Sequence, residues 1–173
     1  MKHISNHYID EFRGYLKCIA RLCAKGYSFG VAAYEADNDI DIFVSQLVEF
    51  WGQGDEYVEP SLYEYLGREK IESTQLFKEI EGFIFNGLLD RANMPSEAAK
   101  SYATKMLTED INEYYGLVSV SLNKEGVFHP LLSNEVYMLK IEHSQYEQRL
   151  YFIVKIENVY VLTHFLKRVS HES

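Results

Sequence analysis

Two apolar runs near the C-terminal end decide the fold of this chain, and only two residues separate them. The first run is Leu150-Tyr151-Phe152-Ile153-Val154-Lys155-Ile156, and after Glu157-Asn158 the second is Val159-Tyr160-Val161-Leu162-Thr163-His164-Phe165. β-Branched and aromatic residues favour strands. Because the connection is so short, we predict an antiparallel hairpin. Alternation places Tyr151, Ile153 and Lys155 on one face and Phe152, Val154 and Ile156 on the other.

Two further strands are predicted on the N-terminal side of this hairpin. Val136–Ile141 is an apolar run, and we expect it to pair antiparallel with the first strand of the hairpin. Leu117–Leu122 alternates apolar and polar side chains, and the turn-like segment Asn123-Lys124-Glu125-Gly126 follows it. Residues 116–173 therefore predict an antiparallel sheet of about four strands.

The first 115 residues predict helices instead. Apolar residues recur at helical spacing in three stretches, over 9–23, 42–51 and 76–88. The segment Met94-Pro95-Ser96-Glu97 then begins a fourth helix that runs to about Tyr115. Ser61–Leu66 resembles a short capped helical segment, whereas Tyr27–Tyr34 is compatible with a short strand. We therefore predict an α+β fold in which N-terminal helices pack on a C-terminal antiparallel sheet of about four strands. Residues 1–115 and 116–173 are expected to form one compact body, because no flexible linker separates them.

The acidic charge of the chain is concentrated in its helical part. The net charge is −9; residues 1–115 hold 11 basic and 20 acidic residues, while residues 116–173 hold six of each. DNA binding is not expected, because phosphate contacts require a concentrated basic face. Tyrosine is abundant, at 14 of 173 residues, which is typical of a partly wet core or of a contact surface.

The C-terminal stretch carries a family resemblance. In the segments Asn134–Ile141, Gln148–Phe152 and Val159–Arg168, a strand with a basic residue near its end precedes an Arg-aliphatic-x-Tyr/Phe strand and a last strand that closes on a basic pair. Over about 45 residues this pattern resembles the end of HigB-type toxins of the RelE/ParE superfamily. His164 stands where that family has a small residue.

The resemblance implies an RNA-cleaving, growth-inhibiting toxin of a toxin–antitoxin module, with a cognate antitoxin as partner and messenger RNA at the ribosome as target. Arg149, Lys167 and Arg168 would place cations on the phosphate, and His164 would act as acid or base. The implied substrate-binding residues are Lys140 and Tyr151. Alternatively, the basic residues are ordinary solvated surface charges. His164 would then be a half-buried side chain with one hydrogen bond and no catalytic role.

A second hypothesis rests on the acidic stretch 55–81. It holds eight acidic and three basic residues, with tyrosines among them. Charge steers association and tyrosines anchor it, so this combination is typical of an inhibitor of a basic enzyme. The chain would then be a non-enzymatic immunity or inhibitor protein that blocks a basic nuclease or other effector. The expected contact residues are Asp55, Glu56, Tyr57, Glu59 and Tyr63. The simpler interpretation is a solubilising surface.

No metal, cofactor or membrane segment is expected. His3 and His7 are four residues apart but lack further ligands, and no glycine-rich phosphate loop is present. The first residues contain no apolar region of a signal peptide, and no apolar stretch approaches the ~20 residues needed to span a bilayer. We therefore expect a cytoplasmic protein, with Cys18 and Cys23 as two buried thiols in a reducing compartment.

Overall fold

The computed structural model describes residues 1–53, 63–89 and 96–170. Its helices and strands, in chain order, are β1 His3–Ile4, α1 His7–Leu22, β2 Tyr27–Glu35, α2 Ile40–Gln53, β3 Tyr63–Ile71, α3 Ser73–Leu89, α4 Glu97–Leu122, β4 Val136–His143, β5 Tyr146–Ile156 and β6 Val159–Arg168. A short 3-10 turn, Leu131–Ser133, precedes β4.

The strands of the described residues form one antiparallel sheet in the order β1-β2-β6-β5-β4-β3. The predicted pairing of the three C-terminal strands is confirmed, since Val136 lies opposite Val154 and Val154 lies opposite Val161. β2 pairs with β6 along its whole length. The hairpin at the C-terminal end is therefore the centre of the sheet, with β2 and β1 on one side and β4 and β3 on the other.

The prediction of N-terminal helices packed on a C-terminal sheet of about four strands is wrong. The sheet has six strands, and β1, β2 and β3 all come from the first 115 residues. Leu117–Leu122, predicted as a strand, forms the end of α4, in which Tyr115, Val118 and Ser119 are buried at helical spacing. A run of six residues is too short to separate the two periods, because Val118 and Leu122 also lie four residues apart, on the buried side of a helix.

The prediction of a helical segment over Ser61–Leu66 is wrong where the structure describes it. From Tyr63 onward these residues belong to β3, in which half-buried Tyr63 and Tyr65 alternate with exposed Glu64 and Leu66. This period of two is that of a strand with one buried face. Gly67, with φ of 122°, marks a bulge in the pairing with β4. A glycine is favoured at that position because other residues rarely adopt positive φ.

Two apolar clusters lie on opposite faces of the sheet. We call the face that packs against α1, α3 and α4 the three-helix face; its cluster includes Phe12, Ile84, Tyr115, Phe152 and Phe165. The other, which packs against α2, is the α2 face; its cluster includes Phe43, Leu47, Tyr151, Ile153 and Tyr160. The predicted division of β5 between two faces is confirmed, because Phe152, Val154 and Ile156 all belong to the first cluster.

Two smaller observations complete the fold. Cys18 and Cys23 are not joined in a disulfide. The expectation that both thiols are buried is confirmed for Cys23 and wrong for Cys18, which is exposed. Of the helices within the described ranges, none offers an apolar stretch long enough to cross a membrane.

Candidate functional site

A groove runs across the α2 face beside the C-terminal end of α2. It consists of two cavities of about 560 and 420 Å³, whose linings share Ser28, Trp51 and His164. We call it the Trp51 groove. β2 and β6 form its floor, aromatic side chains form one wall and α1 forms the other. Cavities of this size are typical of sites for small organic ligands.

The floor of the Trp51 groove exists because β2 alternates large and small residues. The large residues Tyr27, Phe29 and Val31 border the groove but belong to the cluster of the three-helix face. The residues that alternate with them and lie on the α2 face are small: Ser28, Gly30 and Ala32. Gly30 lies directly opposite His164, and a Cβ atom at Gly30 would lie 2.6 Å from Cε1 of His164. The close approach of the imidazole therefore requires a glycine at this position.

His164 lies on the floor and is polar in a largely apolar setting. Its ring nitrogens make no hydrogen bond with any residue that the structure describes, and they are not among the fully enclosed polar atoms. They are therefore open to the groove, which His164 lines. Burial lowers the pKa of His164 to about 4. At pH 7 the ring is neutral, with one N–H donor and one nitrogen acceptor.

Aromatic rings form the wall on the side of β3 and β5. The ring centroid of Trp51 lies 5.6 Å from that of Tyr63 and 6.1 Å from that of Tyr151. Tyr151 in turn lies directly opposite His164 in the sheet, with 6.2 Å between the ring centroids. Burial raises the pKa of Tyr151, so its hydroxyl remains protonated at neutral pH. This wall offers ring faces and neutral donors, not charge.

Basic side chains form the opposite wall. Arg13, Lys17 and Arg21 are spaced four residues apart on α1 and all line the larger cavity. Nε of Arg13 donates to the carbonyl of Val31 at 3.1 Å, so this guanidinium is fixed against the edge of β2. Within the described ranges, Lys17 has no hydrogen bond or ion pair. The Trp51 groove is therefore aromatic at one end and cationic at the other.

The structure separates the residues that the family resemblance implied for catalysis. Nζ of Lys167 lies 3.0 Å from Glu147 and 5.5 Å from the ring centroid of Tyr27, which belongs to the three-helix face. His164 and Arg168 lie on the other face of the same strand, where four residues correspond to about 13 Å. Lys167 therefore does not share a face with His164.

Arg149 and Arg168 come together at the far end of the α2 face, beside His143. Arg149 donates to the carbonyls of His143 and Tyr146, at 3.2 and 2.7 Å, and the guanidinium of Arg168 lies 5.9 Å from the ring centroid of Tyr146. Burial, and after it these two cations, lower the pKa of His143. His143 is also stacked close to Tyr63, with ring centroids 4.1 Å apart.

The two implied substrate-binding residues lie on opposite faces of the sheet. Tyr151 is in the wall of the Trp51 groove. Lys140 is exposed and lies between Leu139 and Ile141, which both belong to the cluster of the α2 face. Alternation therefore turns Lys140 toward the opposite side.

Most of the expected partner-binding residues lie outside the described residues: Asp55, Glu56, Tyr57 and Glu59. Tyr63 is described, and its ring is part of the aromatic wall of the Trp51 groove. The acidic residues that follow it, Glu64 and Glu69, are exposed on β3, which is an edge strand and not a helix.

Potential metal ligands do not gather in the part of the chain that the structure describes, where no group of three His, Cys, Asp or Glu side chains converges. The ring of His3 packs edge-on against that of Tyr34, with centroids 5.4 Å apart. His7 lies 3.6 Å from Glu11, its neighbour four residues along α1.

Four residues that line the Trp51 groove were missed at the sequence level, namely Ser28, Gly30, Trp51 and Lys17, as was His143 at the far end of the α2 face. Two patterns contain information about them. The segment Tyr27–Tyr34 places a small residue at every second position after a large one, and the basic residues of α1 recur every four residues. No pattern in the sequence distinguishes His143 or Trp51, because distant strands and helices bring their neighbours to them.

Comparison with known proteins does not assign a family. No protein-family model matches the chain, and no curated protein matches it. A crystal structure of citrus MAF1 is similar at 10% sequence identity and a TM-score of 0.42, over 92% of this chain and 98% of that chain. A similarity at this level supports no conclusion about function.

Proposed function

We propose that the chain is a non-enzymatic binding protein that docks a basic partner protein through α2. The observation behind this proposal is the outer surface of α2, which combines acidic and apolar side chains. Ile42 and Phe50 are 52% and 62% exposed on it. Residues 36–53 contain no lysine or arginine and four acidic residues, Asp37, Asp39, Asp41 and Glu49.

The exposed apolar side chains of α2 are not needed for its packing. α2 already buries a full apolar stripe against the sheet, namely Ile40, Phe43, Val44, Leu47 and Val48. Ile42 and Phe50 are therefore available to a partner. An exposed aromatic side chain flanked by acidic residues suits a basic protein surface, since the ring anchors the contact and the charges steer it. The net charge of −9 adds attraction at longer range.

Part of the acidic charge on α2 has a role within the chain. A side-chain oxygen of Asp39 accepts a hydrogen bond from the backbone N–H of Asp41 at 2.9 Å, and the guanidinium of Arg68 lies 3.7 and 3.6 Å from these two carboxylates. Asp41 also accepts a hydrogen bond from the hydroxyl of Tyr65 at 2.6 Å. Glu49 has no such ion pair among the described residues. Glu49 and Phe50 therefore define the docking surface best.

The proposal is tested by capturing the partner and measuring its binding. The immobilised chain is exposed to host-cell protein at low salt, and a retained protein is purified and titrated. We expect a basic partner. Glu49→Lys should lower the association rate, about tenfold at low salt, because it reverses a steering charge. Phe50→Ala should mainly raise the dissociation rate, because it removes an anchor.

The matched control is Glu109→Lys, which makes the same charge change at an exposed position of α4, on the other side of the sheet. Its binding should equal that of the unchanged chain. Equal losses for Glu49→Lys and Glu109→Lys would show that only the overall charge matters, and binding unaffected by both α2 variants would contradict the proposal.

A second candidate function is the RNA-cleaving toxin that the family resemblance implies. One observation favours it: Arg149 and Arg168 converge beside His143, which joins two cations and an acid–base group. Cleavage through the 2′-hydroxyl needs these groups at one phosphate. Expression should then arrest growth and deplete messenger RNA. Arg168→Ala should relieve the arrest, while Lys105→Ala, at an exposed position of α4 on the three-helix side of the sheet, should not. Harmless expression with intact RNA would contradict this candidate.

Both candidates act in the cytoplasm. The absence of a disulfide between Cys18 and Cys23 supports this location, since reducing compartments disfavour disulfides.

A further inference from the structure

We propose that the Trp51 groove binds a free nucleoside monophosphate, with the base against the aromatic wall and the phosphate at the basic residues of α1. This inference goes beyond docking of a basic partner, because it concerns a different surface and a small ligand.

His164 is the first reason to expect a ligand in the groove. His164 is half-buried, and a polar side chain that is largely withdrawn from solvent normally makes a hydrogen bond to protein, water or a ligand. The ring nitrogens of His164 make none with the described residues, yet they are open to the groove. A bound molecule with hydroxyl or ring nitrogen atoms would satisfy both, since neutral imidazole offers one donor and one acceptor.

The small residues of β2 are the second reason. Ser28, Gly30 and Ala32 leave a floor without large side chains, and the two cavities above it measure about 560 and 420 Å³. Packing would be better served by larger residues on this face, as it is on the other face of the same strand, where Phe29 and Val31 are buried. The open volume is therefore built into the strand.

The aromatic wall suits a planar base. Three rings surround one end of the groove. The ring centroid of Trp51 lies 5.6 Å from that of Tyr63 and 6.1 Å from that of Tyr151. Bases stack readily on tryptophan and tyrosine, and this stacking is tolerant of base identity. The wall alone therefore does not select one base.

The distance between the aromatic wall and the basic residues of α1 favours a nucleotide as the ligand and disfavours a smaller aromatic acid. Tyr151, His164 and Gly30 lie directly opposite one another on three adjacent strands. Neighbouring strands are about 4.8 Å apart, so about 10 Å separates the backbone at Tyr151 from that at Gly30, and α1 lies beyond. An aromatic ring with a directly attached carboxylate cannot reach both walls. In a nucleoside monophosphate the sugar separates the ring from the anion.

The cationic end suits a phosphate. Arg13 is held in place by its bonds to the Val31 carbonyl at 3.1 Å and to the Asp10 carboxylate at 2.9 Å, and Lys17 follows one helical turn later. Lys17 has no partner of its own within the described ranges, so its ammonium group is available to an anion. A phosphate here would receive charge-assisted hydrogen bonds, which are stronger than neutral ones.

Trp51 provides the reporter for the test, because it is the only tryptophan of the chain. The four common ribonucleoside 5′-monophosphates are titrated into the purified chain, with tryptophan fluorescence and calorimetry as readouts. We expect saturable binding of at least one of them, with a change in Trp51 emission. The corresponding nucleoside and ribose 5-phosphate should each bind at least tenfold more weakly, since each reaches only one end.

Two variants localise the binding. Lys17→Glu should lower the affinity for the monophosphate at least tenfold and leave the affinity for the nucleoside unchanged. Lys124→Glu, the same charge change in the exposed turn after α4, is its matched control and should leave both unchanged. Ser28 is exposed on the floor, so the ring in Ser28→Phe fills the groove and should abolish binding of the monophosphate and of the nucleoside. Far-UV circular dichroism checks that this variant is folded.

The proposal is overturned if none of the four monophosphates binds at millimolar concentration, or if ribose 5-phosphate binds as tightly as the monophosphate. It is also overturned if Lys17→Glu and Lys124→Glu weaken binding equally, or if Ser28→Phe leaves binding intact. Lys17 lies on α1, away from α2, so these outcomes are independent of the test of partner docking.

Discussion

The two faces of the sheet are buried in different ways. The three-helix face is covered by helices of 16, 17 and 26 residues, whereas one helix of 14 residues covers the α2 face. One such helix cannot shield six strands, and tyrosine rings cover much of the remaining surface: Tyr34, Tyr63, Tyr65, Tyr137 and Tyr146. The first face therefore provides stability, while the second leaves room for recognition.

Truncating one large side chain on each face tests this contrast most directly. Phe152 is fully buried on the three-helix face, and Phe152→Ala should lower the free energy of unfolding by about 3–5 kcal/mol, because it leaves a cavity. Trp51→Ala removes a half-buried ring beside an existing groove and should cost about 1–2 kcal/mol. Urea unfolding measures both. Equal losses would show that the wall of the groove is as structural as the core.

Acid should weaken the α2 face through His164. Its pKa is about 4 in the folded chain and 6.5 ordinarily, so the unfolded chain binds the proton more readily. The contribution of His164 to the free energy of unfolding is therefore fully present above pH 6.5. It is lost as the pH drops toward 4, and the loss reaches up to about 3 kcal/mol. Unfolding at several pH values should show a smaller loss in His164→Gln than in the unchanged chain. Identical pH profiles of the two chains would show that His164 is not the source of the acid sensitivity.

The contact between Gly30 and His164 should give a smaller effect. Gly30→Ala places a Cβ against the imidazole, and we expect a loss of about 1–3 kcal/mol, because the ring must move. In a His164→Ala background the same change should cost much less, since the obstructing ring is gone. Unfolding free energies of the four chains complete a double-mutant cycle. A cost that is unchanged between the two backgrounds would place the strain elsewhere.

Sequence reasoning succeeded where structure is local and failed where it is not. The hairpin of β5 and β6 and the division of β5 between faces were predictable, because alternation and a two-residue connection are local properties. The pairing of β2 with β6 was not, since it joins Tyr27 to Lys167 across most of the chain. The start of β3 was mistaken for a short helical segment, because Ser61 and Glu64 have the spacing of a capping box and Gly67 resembles a helix stop.

The candidate site was partly predictable for the same reason. His164 and Tyr151 were named from the C-terminal strands, and the structure places both in the Trp51 groove. Their neighbours come from α1, α2 and β2, whose packing depends on the whole sheet. Lys167 was grouped with His164 from sequence, but strand alternation sends the two side chains to opposite faces.

The edges of the sheet have a consequence for the behaviour of the chain in concentrated solution. A long, flat outer strand is a template onto which another copy can add, and repeated addition leads to fibres. On β3 the bulge at Gly67 breaks the regular row of amides, and Glu64 and Glu69 are exposed beside it. The short strand β1 pairs with one end of β2, and farther along β2 the carbonyl of Val31 already accepts a hydrogen bond from Arg13. Both borders are therefore protected against templated growth.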